Sequence, residues 1–130
     1  MGTQDFTLLE VERLWKVYHK TERTLDLLDP EAIEKAEAAG AVIAVRDISF
    51  QVKRGEVFVI MGLSGSGKST LIRCLTRLIE PSAGVIRVKG KEVTSMNVEE
   101  LTAFRRSEAA MVFQHYGLLP HRNVLENVAF

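Results

Sequence analysis

The chain has 130 residues, with 17 Lys and Arg set against 17 Asp and Glu, so its net charge is zero and no polybasic character points to a nucleic acid partner. Its single cysteine, Cys74, permits no internal disulfide, suits a cytoplasmic setting and is expected to be structural rather than redox-active. No apolar run approaches the ~20 residues of a membrane span, and residues 1–5 carry neither the charged nor the apolar region of a signal peptide.

Residues 6–18 mix apolar and charged side chains, Leu9 and Val11 alternating with Glu10 and Glu12, as an edge strand does. Asp29 then reads as an N-cap with Pro30 at the first helical position, residues 32–39 favour helix, and Gly40 is a stop. This predicts a surface helix, within an insert of about residues 22–41, between two strands. Ile48, Phe50 and Val52 alternate with Ser49, Gln51 and Lys53 as a half-exposed strand. Arg54-Gly55 turns the chain into residues 56–61, a short apolar run bounded by glycines that predicts a strand buried on both faces.

That run leads into Gly62-Leu63-Ser64-Gly65-Ser66-Gly67-Lys68-Ser69-Thr70, which fits G-x-x-x-x-G-K-[ST]. Glycines 62, 65 and 67 reach backbone angles that turn successive N–H groups inward around phosphate oxygens. The helix expected over about residues 68–79 carries Leu71, Ile72, Leu75, Leu78 and Ile79 on one stripe, and its N-terminus favours an anion. In such a loop Lys68 reaches the β- and γ-phosphates, the Ser69 hydroxyl supplies one magnesium ligand, and Thr70 is placed by the α-phosphate. Leu63-Ser64-Gly65-Ser66-Gly67 looks like the LSGGQ signature of transporter ATPases, but it lies inside this loop and cannot serve as both.

Further on, residues 81–84 make a turn, 85–88 a strand and 89–91 another turn. Asn97 with Glu100 starts a short helix that carries Leu101 and Phe104 inward. Residues 109–113 form a second apolar strand pattern, after which Gln114 is the first polar side chain, where a ligand at the carboxyl end of a parallel sheet would lie. Asn123 and Glu126 repeat the cap signature.

Through GLSGSGKST and Met111-Val112-Phe113-Gln114 the chain resembles the ATP-binding subunits of ABC transporters, matching their Walker A loop and the strand entering their Q-loop. MGLSGSGKST, RLIEPSAG and AMVFQHYGLLPHRNVLENVAF, with the helical insert, are most like the glycine betaine/proline betaine importers. The resemblance implies an α/β fold: the P-loop NTPase core of an ABC ATPase with an amino-terminal antiparallel β portion, incomplete because residues 1–130 cover about the first half of such a subunit. It implies ATP and Mg2+ as ligands, with Tyr18 stacking on adenine, residues 62–70 holding phosphate, and Gln114 joining Ser69 on the metal while sensing the γ-phosphate. Residues 115–121 would face the permease, and His115 and His121 have no partners at metal-site spacing.

The implied partners are a second ATP-binding subunit, transmembrane permease subunits and, indirectly, an extracytoplasmic solute-binding protein, at the cytoplasmic face of the membrane. LSGGQ, the Walker B acidic pair, the D-loop and the switch histidine do not occur in these residues, so no catalytic residue is assigned and the chain is expected to be part of a longer ATPase. Alternatives are the ATPase of another ABC importer, such as an amino acid importer, or a non-catalytic nucleotide-binding fragment. A small-molecule kinase is disfavoured by the Gln114 segment.

Overall fold

Two strands of 12 residues, β1 (Thr7–Tyr18) and β2 (Val42–Lys53), pair antiparallel from Thr7 opposite Lys53 to Tyr18 opposite Val42. In the computed structural model, which describes residues 7–19, 25–113 and 118–129, β3 (Ala83–Val88) and the two-residue β4 (Lys91–Glu92) complete a sheet of order β2-β1-β3-β4. Lys89 and Gly90, both at positive φ (51° and 78°), close the β3–β4 hairpin in the left-handed geometry that tight hairpin turns require. The helices are α1 (Pro30–Ala38), α2 (Lys68–Leu75), α3 (Val98–Ser107) and α4 (Val124–Ala129), with a single 3₁₀ turn at Val93–Ser95.

Helix starts follow from local chemistry. Asp29 accepts the Glu31 N–H at 3.0 Å. Asn97 and Glu100 exchange side-chain and backbone bonds at 2.8 and 3.2 Å, and Asn123 and Glu126 do the same at 2.9 and 3.3 Å. Each pair satisfies N–H groups that a helix start leaves without intrahelical partners.

β1 is not an edge strand. It lies between β2 and β3, and its Val11 and Leu14 are sealed in a core with Val45, Ile86, Val93, Leu71 and Cys74 of α2, and Leu101 and Phe104 of α3. A central and an edge strand with one wet face show the same alternation, so the pattern reports which side chains face inward but not how many neighbours the backbone has. The next residues along β1 point the other way: Trp15 and Val17 pack with Ile33 of α1 in a second cluster. Lys16 and Tyr18 therefore continue the face that meets α2.

α2 stops at Leu75 rather than near residue 79. Arg77 takes the left-handed conformation (φ 54°), the Leu78 N–H turns back to the Arg73 carbonyl at 2.9 Å, and the Arg77 N–H to the Cys74 carbonyl at 3.0 Å. The Arg77 guanidinium offsets the strain by donating to the Val93 and Met96 carbonyls at 3.1 and 2.8 Å. Cys74 is fully buried, and burial pushes its thiol pKa up, in keeping with a structural role.

Residues 56–61, expected as a strand buried on both faces, and 109–113, expected as a second apolar strand, carry no regular secondary structure. Val57, Val59 and Val112 are 88%, 68% and 97% exposed. A strand exists only as part of a hydrogen-bonded pair, and among the described residues neither segment is paired in a ladder. Phe58 stacks on Phe50 of β2 at a centroid distance of 4.8 Å, and Ile60 packs against the main core, so residues 56–61 are tied to the sheet through side chains.

Candidate functional site

α2 opens on Gly67, whose φ of 92° only glycine adopts without strain. Leu71 is the first α2 residue whose N–H has a backbone acceptor, the Gly67 carbonyl at 2.9 Å. The N–H groups of Lys68, Ser69 and Thr70 have no acceptor among the described residues, so the helix presents three free donors and the positive end of its dipole at one point. Upstream, the Ser66 N–H bonds the Leu63 carbonyl at 3.1 Å and closes the turn.

The loop is held against the sheet by close packing that a side chain would prevent. A Cβ at Gly67 would lie 2.1 Å from the Ala44 carbonyl oxygen of β2, a backbone atom; one at Gly62 would meet chiefly the Ser66 hydroxyl within the loop, which a rotamer change can move aside. The Lys68 ammonium donates back to the Gly62 carbonyl across the mouth of the loop. Residues 64–70 form one wall of a cleft of about 520 Å³, and Tyr18, Val42, Ile43 and Ala44 form the other. This volume falls in the ~300–1,000 Å³ range of small-molecule sites.

Tyr18 ends β1 with 44% of its surface exposed. The cleft thus combines free N–H donors and an ammonium, suited to a polyanion, with an aromatic ring on the facing wall, suited to a flat base. The Ser69 hydroxyl, on the exposed side of the first helical turn, has no hydrogen-bond partner among the described residues and fits a single magnesium ligand, the phosphates and water supplying the rest.

Of the residues picked out in the sequence, Tyr18 and Ser64 to Thr70 meet around this cleft. Gly62 lines an adjoining hollow with Ser66, Gly67 and Lys68, and Leu63 is 86% exposed. Gln114 and His115 lie outside the described residues, while His121 is exposed and belongs to no converging group of His, Cys, Asp or Glu among those described. The wall made by Val42, Ile43 and Ala44 was not anticipated. Small and aliphatic residues on a strand carry no chemical signal, and only the spatial approach of β2 to Gly67 identifies them.

Residues 45–129 match the family described as ABC transporter. The chain is 46% identical over 125 residues, 95% of its length, to the trimethylamine N-oxide transport system ATP-binding protein of Ruegeria pomeroyi, of which it covers 37%. It is 46% identical over 94% of its length to the glycine betaine/carnitine transport ATP-binding protein of Listeria monocytogenes (32% of that protein). With the glycine betaine/proline betaine transport system ATP-binding protein of Escherichia coli the identity is 41%, again over 94% of the chain and 31% of that protein. The chain thus spans about a third of the length of these curated relatives. Among solved structures it is similar to the ATP-binding cassette MJ0796, in a dimeric post-hydrolysis state bound to ADP and Pi, with a TM-score of 0.71 and 28% identity over 93% of this chain and 45% of that one.

Proposed function

The chain belongs to the ABC transporter family, and from that premise we propose that it binds ATP with magnesium in the cleft between residues 64–70 and Tyr18, as part of an importer ATPase for glycine betaine/proline betaine-type solutes. The observation that carries the reading is the cleft itself: a loop of free N–H donors and a strand-end aromatic, far apart in sequence, face each other across one hollow. Lys68 and the first-turn N–H groups of α2 hold the triphosphate, Tyr18 stacks on the base, and Ser69, joined by Gln114, holds the metal. Magnesium there supplies positive charge to the β- and γ-phosphates.

The solute class is supported by what the relatives are named for: those of Ruegeria pomeroyi, Listeria monocytogenes and Escherichia coli, named for trimethylamine N-oxide and betaine-type solutes, align over 125 residues, a stretch that spans α1. In this reading the complete protein pairs with a second ATP-binding subunit, beneath permease subunits that a solute-binding protein loads from outside. Residues 115–121 face the permease at the cytoplasmic side of the membrane. Among the described residues no helix is long and apolar enough to cross a membrane; in this reading contact with the bilayer runs through the permease subunits.

Tyr18→Ala is expected to weaken ATP and GTP by similar factors, about 1–3 kcal/mol, because stacking reads a ring face and not its edge groups. Inorganic tripolyphosphate, which has no base, should bind both forms alike. An unchanged ATP affinity in calorimetry would return Tyr18 to covering the sheet. The solute assignment is tested in the complete protein reconstituted with its permease in proteoliposomes. Glycine betaine, presented on the binding protein, should raise ATP hydrolysis severalfold, and stimulation by an amino acid in its place would assign the importer to the other class.

A further inference from the structure

We propose that Lys16 is a positioning residue for the base-stacking ring: its ammonium, anchored on the Glu80 carbonyl, holds Tyr18 in the orientation that a nucleotide base requires. The proposal rests on the nucleotide reading of the cleft. Lys16 and Tyr18 lie two residues apart on β1 and so project from the same face. The Lys16 ammonium sits 4.9 Å from the centroid of the Tyr18 ring, inside the ~6 Å reach of a cation–π contact. The same ammonium donates to the Glu80 carbonyl at 2.8 Å. Glu80 follows α2, and the Arg77 guanidinium holds its carboxylate at 3.0 Å. One ammonium thus links the strand end that carries the ring to the segment that follows α2, the helix whose first turn forms the opposite wall.

The ring needs such a link. Tyr18 is the last residue of β1, where strand ends open most readily, it is 44% exposed, and no aromatic ring stacks on it among the described residues. Lys16 is not among the residues that line the cleft, so it acts through Tyr18 and not on the ligand. With the cation on one face of the ring, a base takes the face left open. Apparent affinity scales with the fraction of the protein whose ring already stands in that orientation.

Lys16→Met is expected to weaken ATP binding about two- to fivefold, the factor that an exposed cation–π contact supplies. It should leave tripolyphosphate binding unchanged. In a Tyr18→Ala background Lys16→Met should have no further effect on ATP, and Lys16→Arg, which keeps a cation over the ring, should restore most of the affinity. Lys16→Gln keeps a donor for Glu80 without the charge and provides a second variant should the methionine fail to fold; it should lose ATP affinity to the same degree. Equal losses for ATP and tripolyphosphate, or the same ATP loss with and without Tyr18, would overturn the proposal and leave Lys16 a brace between β1 and the segment after α2. If Tyr18→Ala itself leaves ATP affinity unchanged, the stacking reading fails first, and this inference with it.

Discussion

Lys68→Ala is expected to abolish tight ATP binding. Lys68 is the first residue of α2, and its ammonium bridges to the Gly62 carbonyl across the loop that faces the cleft. An ammonium has three donors, so it can keep that carbonyl and still reach two phosphate oxygens. In the variant the first-turn N–H groups remain, but they are neutral, and the only mobile charge on this wall of the cleft is gone. Removing one partner of a close charged hydrogen bond costs about 2–5 kcal/mol, a drop of roughly 30-fold or more in affinity. Alanine is a strong helix former, so α2 should persist and the melting temperature should change little. Calorimetry that finds equal ATP affinity in the two proteins would remove Lys68 from the site.

Gly67→Ala should be at least as severe, for a reason of space. At φ 92° an added Cβ lies 2.1 Å from the Ala44 oxygen and 3.2 Å from its carbonyl carbon, and both are backbone atoms of β2 that no rotamer change can move aside. Either the loop lifts off β2 or the helix start rotates, and both dismantle the wall that faces Tyr18. Gly65→Ala is the matched control: φ is 80°, but nothing lies within 4 Å of the added carbon. It carries only the cost of a left-handed alanine, roughly 1–2 kcal/mol. The account predicts that Gly67→Ala eliminates ATP binding and lowers the melting temperature more than twice as far as Gly65→Ala. Equal behaviour of the two variants would mean that the loop does not rest on Ala44.

The contrast between these glycines marks the limit of what the sequence makes legible. Both stand in the same motif, and only the position of β2 separates them. Features decided within a few residues were readable in advance: the Asp29-Pro30 helix start and the Asn97–Glu100 and Asn123–Glu126 caps all form where the pattern places them. Features decided by distant neighbours were not. The apolar residues of 56–61 and 109–113 signal a need for burial without naming what buries them, and Val59 and Val112 stand exposed. The end of α2 was missed because its left-handed residue is Arg77 and not glycine, held there by the Val93 and Met96 carbonyls. Lys16 carries no local signal of its role, since its acceptor, the Glu80 carbonyl, lies 64 residues away in the chain.

The most direct test of the central claim is a titration of the isotope-labelled chain with magnesium ATP, followed residue by residue through its amide resonances. The account predicts saturable shifts concentrated at Gly65, Gly67, Lys68, Ser69 and Thr70 and at Tyr18, with tripolyphosphate reproducing the loop shifts but not those at Tyr18. Saturable binding that leaves these amides unmoved, or no saturable binding at all, would contradict it.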